Sequence, residues 1–472
     1  MGLELITYSI SDIGKVITGK TPPASVKSAY SALDGVPFVT PKDMDGRRWI
    51  ENTERYLTSD GVAAVKRNLV PAMSVAVSCI GSDMGKAILL KKESVTNQQI
   101  NSIIIDVKRF NPKYIYYVLS TKQQYLKDVA GGSATPILNK TDFGKITFQA
   151  PSKYYQDLIV EYLDCLDSKR ELNRQVNQTL EQMAQALFKS WFVDFDPVVD
   201  NALDAGFFDQ GLELPDELLY RAEARDTVRK HNDFKPLPEE IRQLFPAAFE
   251  ECSEPSLGLG GWVPQGWVVS TTGDEFTVQG GSTPSTTNPE FWEGGHIHWT
   301  SPKDLSGSTE KVMLDTERKI TDAGLNKITS GLLPTETVLM SSRAPIGYLA
   351  LTKIPVAINQ GYIAIPVTKR LSQEYVLYWL NSSIDEIKGI AGGTTFAEIS
   401  KKTFKSISLV IPNAKVVDAF TVTTKSYLNK MALNAAERSA LEKLRDTLLP
   451  KLISGELRLD DIEADIAEEG AA

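Results

Sequence analysis

Few segments of this 472-residue chain present side chains whose types and spacing could do chemistry, and the first is Gly14-Lys15-Val16-Ile17-Thr18-Gly19-Lys20-Thr21. It fits GxxxxGK[ST], a pattern that works because a helix begins at the lysine and aims its amides at phosphate. Pro22 and Pro23 follow at once, and a proline pushes the residue before it out of the helical region. Nucleotide binding is therefore not expected; Gly19 to Pro23, and Gly280 to Pro284 further on, read as tight loops. His296 and His298 alternate on an extended run and share a face, but no third ligand stands near them, so a strand is expected and a metal site is not. Cys79, Cys165 and Cys252 are odd in number and in no CxxC spacing, which suggests neither a disulfide framework nor a thiolate metal site and fits a reducing cytoplasm. With three histidines in all and no nucleophile elbow, acid–base chemistry has few agents, and no catalytic residue is assigned.

Asn111-Pro112-Lys113-Tyr114 comes near the NPPY loop with which adenine methyltransferases hold a flipped base. Lys113 spoils the match and no FxGxG-like cofactor loop precedes it, so a helix start capped by Asn111 is expected. What remains suits reading a nucleic acid more than reacting with one. Candidate donors in the first half are Lys20, Thr21, Lys42, Arg47, Arg48, Lys86, Gln98, Gln99 and Lys140. Those in the second half are Ser282, Thr283, Lys303, Arg343, Asn359, Gln360, Thr394, Thr395, Lys401 and Lys402. Arginine suits guanine, Asn or Gln suits adenine, and Lys and Thr suit phosphate oxygens. The Asn-Gln pairs equally suit a turn that bonds its own backbone.

These donors fall into two sets because the chain repeats itself at an offset of 261 to 263 residues. Thr21-Pro22 returns as Thr283-Pro284, FVTPKDM from Phe38 as WTSPKDL from Trp299, and LVPAMSVAVS from Leu69 as LLPTETVLMS from Leu332. Asn97-Gln98 recurs as Asn359-Gln360, and residues 130–151 match 391–412 without a gap. No paired-acid spacing survives the duplication.

Short Val/Ile/Leu-rich runs such as SVAVSCI, NSIIIDV and GYIAIPV, punctuated by Gly, Pro, Asn and Asp, predict strands. Helical pieces at Pro112 to Gln124 and Ser372 to Leu380 interrupt them. Each repeat then ends in the same kind of segment: from Gln156 to about Trp191 there is no Pro or Gly, and both copies carry an apolar stripe at steps of three and four. The stripe holds Leu172, Leu180, Met183, Leu187 and Trp191 in the first copy and Leu433, Leu441, Leu444, Leu448 and Leu452 in the second. Roughly 38 residues of helix span about 57 Å, and a lone apolar stripe needs a cover. The sister helix is the expected partner; the alternative is that each helix lies against its own domain. The expected class is α+β: a first repeated domain over 1–151, a long helix over 152–194, an acidic connector over 195–261, a second repeated domain over 262–412, a second long helix over 413–455, and an acidic tail over 456–472 expected to be disordered.

A net charge of −9 looks unsuited to a polyanion until it is divided. Residues 1–150 hold 19 Lys+Arg against 13 Asp+Glu, whereas 195–261 hold 6 against 15. Acidity belongs to the connector and tail. No export signal, 18-residue apolar run or acylation motif is seen, and a cytoplasmic protein without a membrane partner is expected.

The arrangement resembles the specificity subunits of Type I restriction-modification enzymes over nearly the whole chain. Three stretches carry the local likeness: LEQMAQALFKSWFVDFDPV (Leu180 to Val198), LFPAAFEECSEPSLGLGGWVPQGW (Leu244 to Trp267) and LRDTLLPKLISGELRL (Leu444 to Leu459). The resemblance implies an antiparallel coiled coil of the two helices, with each recognition domain reading one half of a split sequence in double-stranded DNA. It also implies two modification subunits that methylate adenine with S-adenosylmethionine, and restriction subunits driven by ATP and Mg, with no cofactor on this chain. Val176 and Glu437 do not match across the repeat, so the two helical seams cannot be wholly equivalent. Rival readings are a single-chain restriction or methylation enzyme, which lacks its motifs here, and a duplicated protein-interaction scaffold that binds no DNA.

Overall fold

A computed structural model describes residues 4–81, 83–131, 137–307, 310–343, 345–392 and 397–457. The tail expected to be disordered lies, from residue 458, outside the described residues. The chain divides into two units, Met1–Arg170 with Ala440–Ala472 and Glu171–Ser439.

In the first unit, a continuous apolar run makes Val75–Ser78 a strand buried on both faces. It sits at the centre of a five-stranded sheet ordered Gly14–Thr18, Ile100–Ile105, Val75–Ser78, Ala87–Leu90, Trp49–Ile50, the last pair parallel. A second sheet is ordered Tyr30–Ser31, Tyr56–Leu57, Val36–Val39, Ser94–Thr96, Leu69–Val70. Asn111 caps the helix Pro112–Ser120 by accepting from the Lys113 amide, with proline in the first turn where a missing N–H costs nothing. That helix buries Tyr114, Tyr117 and Leu119 in a core completed by Ile159 and Leu163 of the first long helix and Leu449 and Leu452 of the second.

The second unit repeats the strand order: Phe276–Gln279, Tyr362–Thr368, Val338–Ser341, Leu349–Thr352, Val312–Met313, beside a sheet of Arg318–Ile320, Ile297–Thr300 and Ala357–Ile358. Even local strain is copied. Met73 and Glu336, at equivalent places before the central strand, both hold left-handed backbone, with φ of 64° and 61°, which non-glycine residues seldom adopt.

The acidic connector is part of the second unit's core. Phe195, Val198, Val199, Phe207, Leu218, Phe245 and Phe249 pack with Phe188, Trp191 and Trp267. Part of its charge is matched internally: the helix Asp196–Asp204 presents Asp196, Asp200 and Asp204 to Arg221, Arg225 and Arg229 of the helix Asp216–Arg229. Both triplets are spaced by four, so each lies along one helix face. Arg225 grips Asp200 with two hydrogen bonds of 2.9 and 2.8 Å.

The long helices run over Lys153–Phe188 and Ala414–Ser454. In the first unit Arg170 meets Glu442 at 2.8 Å and Asp167 meets Arg445 at 3.1 Å. In the second, Asn173 donates to Glu437 at 2.7 Å and Asn434 to Asn177 at 2.9 Å. In each unit the partner number falls as the first rises, so the pairing is antiparallel.

The seam is not the leucine stripe expected from sequence. Leu172, Met183, Leu433 and Leu444 are exposed, while Asn173, Asn177, Glu181, Ala184 and Phe188 are buried. The inner face is the expected one advanced by one residue, about 100° of helical rotation. Leu180 and Leu187 still pack partly against the core, Leu441 is half-buried, Leu448 packs at the other core and Leu452 is buried. Trp191 reaches the interior because a π-turn at Lys189–Val193 resets the phase of the helix. Hydrophobicity alone put Asn173, Asn177 and Glu181 outside; their hydrogen-bond partners are what allow them in.

Arg225→Ala should lower unfolding stability by about 3 kcal/mol, because it strips a buried carboxylate of its bidentate partner. Arg225→Met with Asp200→Leu should recover most of that loss. Urea unfolding of the two variants beside the wild type checks this, and equal losses in the single and double variants would show that packing, not charge, matters there.

Candidate nucleic-acid interface

Gly14 to Thr18 form a strand and do not lead into a helix, so the phosphate-loop pattern is accidental. The loop amides are also engaged: Gly19 N donates to Ile100 O and Lys20 N to Thr96 O, at 2.9 and 2.8 Å. Gly19 is required for closeness, since a Cβ there would stand 2.0 Å from the Asn97 carbonyl oxygen. In the second unit Ser282 N donates to Ile358 O at 3.1 Å, and a Cβ on Gly281 would stand 1.8 Å from that same carbonyl oxygen.

These close approaches bring together the predicted donors. Thr21 donates to Gln98 Oε1 at 2.6 Å, and Thr283 to Gln360 Oε1 at 2.7 Å. The Asn half of each Asn-Gln pair is the structural half: Asn97 Oδ1 accepts from the Gln99 amide at 3.1 Å and Asn359 Oδ1 from Gly361 at 2.8 Å. Gln98 and Gln360 stay exposed. Gln99 accepts from Asn97 Nδ2 at 3.0 Å.

Next to this loop lies the turn Pro41–Asp43, where Asp43 bonds Thr40 and the Glu54 amide. Its copy Pro302–Leu305 has Asp304 bonding Ser301 and the Glu317 amide. Lys42 and Lys303 are thereby pushed outward; Lys303 pairs with Glu317 at 3.0 Å. An open concavity of about 460 Å³ is lined by Thr40, Lys42, Glu54, Arg55, Asn97 and Gln99.

Other predicted residues fall elsewhere. Arg47 is exposed and folds back on Asp45 at 2.7 Å, and Lys86 pairs with Asp83 at 3.0 Å. Lys140 and Lys401 open equivalent short helices, with Lys401 lying over Gly280 and Lys402 exposed beside it. Arg343 reaches the Gln360 carbonyl at 3.3 Å and Glu398 at 3.3 Å. Thr394 and Thr395 lie outside the described residues. His296 and His298 face Asp322 and Asp315, at 3.8 and 3.2 Å.

Arg48 is turned inward. Its guanidinium meets Asp164 at 2.6 Å, Asp167 at 3.5 Å and the Tyr117 hydroxyl at 2.8 Å. Burial opposes its charge, but Tyr117, Asp167 and Asp164 more than offset this and hold its pKa above the ordinary value. It fastens the domain to the helix and is not presented to a ligand. Position 311 is the equivalent place, and there Lys311 lies near Tyr378 and Glu181 of the first long helix. Burial pushes the Glu181 carboxyl up.

Arg55 and Arg318 were missed from sequence. The signal was available: Thr53-Glu54-Arg55 recurs as Thr316-Glu317-Arg318 at the repeat offset. Both arginines are exposed and stack on aromatic rings, Arg55 on Tyr30 and Arg318 on Trp292.

Against this geometry, a model described as the Type I restriction modification DNA specificity domain matches residues 4–182 and 264–443, one copy in each half. The chain belongs to this family. It is 26% identical to the HindI specificity subunit of Haemophilus influenzae over 95% of this chain and 99% of that protein. It is 25% identical to the MjaIX specificity subunit of Methanocaldococcus jannaschii, over 96% and 93%. The crystal structure of a Type I S subunit from M. genitalium shares the fold, with a TM-score of 0.53, 14% identity and coverage of 95% and 96%. In the first unit of this specificity subunit Thr21 and Gln98 are exposed, whereas Arg48 is engaged by Asp164. Among the described residues no helix is long and apolar enough to cross a membrane.

Arg48→Ala should lower stability by about 3 kcal/mol, since Asp164 and Asp167 lose a buried partner, while base preference in DNA selection stays as in the wild type. A second expectation concerns pH. Burial holds the folded pKa of Glu181 above the ordinary 4.5, so its contribution is complete below the ordinary value and is lost as pH rises through the raised one. Glu181→Gln should therefore flatten the fall in unfolding stability as pH rises above about 4.5. An unchanged slope would mean that other groups produce it.

Proposed function

We propose that the chain directs a Type I restriction-modification complex to DNA, each of its two recognition domains contacting one half of a bipartite duplex target. The observation that carries this reading is the duplicated exposed pair, Thr21 with Gln98 and Thr283 with Gln360, each beside an equivalent backbone bond, Lys20 N to Thr96 O and Ser282 N to Ile358 O. Exposed Lys42, Lys303, Lys20 and Lys402 supply neutralising charge beside them, as phosphate contacts require. The surrounding side chains differ between copies, Tyr30 and Phe38 against Trp292 and Trp299, so the two half-sites differ and the target is asymmetric.

In this reading the chain performs no chemistry and works in the cytoplasm. Two modification subunits, with S-adenosylmethionine, methylate adenine in the target, and restriction subunits use ATP and Mg. The exposed apolar residues Leu172, Met183, Leu433 and Leu444 suit docking of such partners. The paired helices act as the ruler between half-sites: buried polar pairs fix a single register, so helix length becomes spacer length.

Inserting seven residues into each helix, after Gln178 and before Leu433, keeps the inner face in phase and adds about 10 Å. The methylated motif in cells carrying the variant and its partner subunits should gain roughly three base pairs of spacer while both half-sites stay the same. Methylation of the original spacer at the wild-type rate would refute the ruler.

A further inference from the structure

Each unit holds an arginine against two rings that themselves meet edge to face. Arg55 lies 4.6 Å from the Tyr30 ring centre and 5.4 Å from Phe38, and those rings are 5.5 Å apart. Arg318 lies 3.4 Å from Trp292 and 5.7 Å from Trp299, whose rings are 5.1 Å apart. All three members are equivalent across the repeat. The rings changed and the geometry was kept, which packing alone does not demand.

The backbone beneath each arginine is pinned in the same way. Thr53 Oγ1 donates to Arg55 O at 2.7 Å and Thr316 Oγ1 to Arg318 O at 2.8 Å. In the second unit the rings are tied to the reading loop as well, Trp299 Nε1 donating to Ser282 O and Trp292 Nε1 to Ser285 O. Among the described residues neither guanidinium donates a hydrogen bond or pairs with a carboxylate, and both arginines are exposed. A stacked guanidinium keeps its five N–H donors directed outward in one plane. Arg55 directs them into the concavity shared with Lys42, Asn97 and Gln99.

We propose that Arg55 and Arg318 are the equivalent base-reading residues of the two domains, each recognising a guanine edge in its half-site. Stacking removes most of the rotamer freedom that a long side chain would lose on binding, and the planar fork matches guanine O6 and N7. Neighbouring Lys42 and the Thr21–Gln98 loop hold the phosphate backbone, which sets the register of the fork. The inference rests on the DNA-reading function above and names which residue within that surface discriminates.

The test offers random duplexes to the full chain purified with its methylating partner, and sequences those retained. The wild type returns a two-part motif; recovery of no motif would overturn the specificity reading itself, and this inference with it. Arg55→Ala and Arg55→Lys should each lose guanine preference at one position of one half, by about tenfold or more, with the other half unchanged. Arg318→Ala and Arg318→Lys should do the same in the opposite half. The lysine variants retain charge and most of the bulk, so thermal melting close to the wild type separates lost reading from lost folding. An unchanged motif in the lysine variants, or weakening uniform across sequences with a shallower salt dependence in the alanine variants, overturns the inference while leaving the DNA-reading function intact.

Discussion

One buried polar node holds each unit together, and the rest of that unit depends on it. In the first unit Asp167 of the first long helix receives Arg48 from the recognition domain, Arg170 from its own helix and Arg445 from the second long helix. In the second unit Asn177 bonds Asn434 and the Met431 carbonyl of the second helix and Glu310 of the domain. Each node ties a domain and both helices at one point. A buried carboxylate or amide tolerates one arrangement of partners and penalises every other, so the nodes select register where leucines would accept several.

That selection matters to a protein whose job is to present two reading surfaces. A seam of leucines can slip by a turn at modest penalty, whereas Asn177 displaced from Asn434 leaves amide groups buried without partners. The same logic explains the connector. Three of its acidic residues, Asp196, Asp200 and Asp204, form half of a ladder closed by Arg221, Arg225 and Arg229, and its apolar residues complete the second unit's core.

Duplication followed by divergence is visible at the level of single interactions. What stayed constant is backbone architecture: strand order, the Gly19 and Gly281 close approach, the left-handed Met73 and Glu336, the turns closed by Asp43 and Asp304. What changed is the chemistry set upon it, with Arg48 against Lys311 at the clamp and Tyr30 and Phe38 against Trp292 and Trp299 under the exposed arginines. A scaffold kept fixed while its contacting groups vary is what asymmetric recognition requires.

The repeat, the α+β class, the two long helices, the Asn111 cap and the failure of the phosphate-loop pattern were all legible in the sequence, because each rests on local rules: periodicity, capping preference and the conformational effect of proline. The loop donors Thr21, Gln98, Thr283 and Gln360 were legible too, since a recurring motif needs no coordinates. The tertiary structure alone decided that Arg48 turns inward while Arg55 stays outward, that Asn173, Asn177 and Glu181 line the helical seam in place of Leu172 and Met183, and that the acidic connector belongs to a core. Those outcomes depend on which distant groups arrive to satisfy a buried charge or amide, and burial of a polar group is permitted by its partner, not by its own hydropathy.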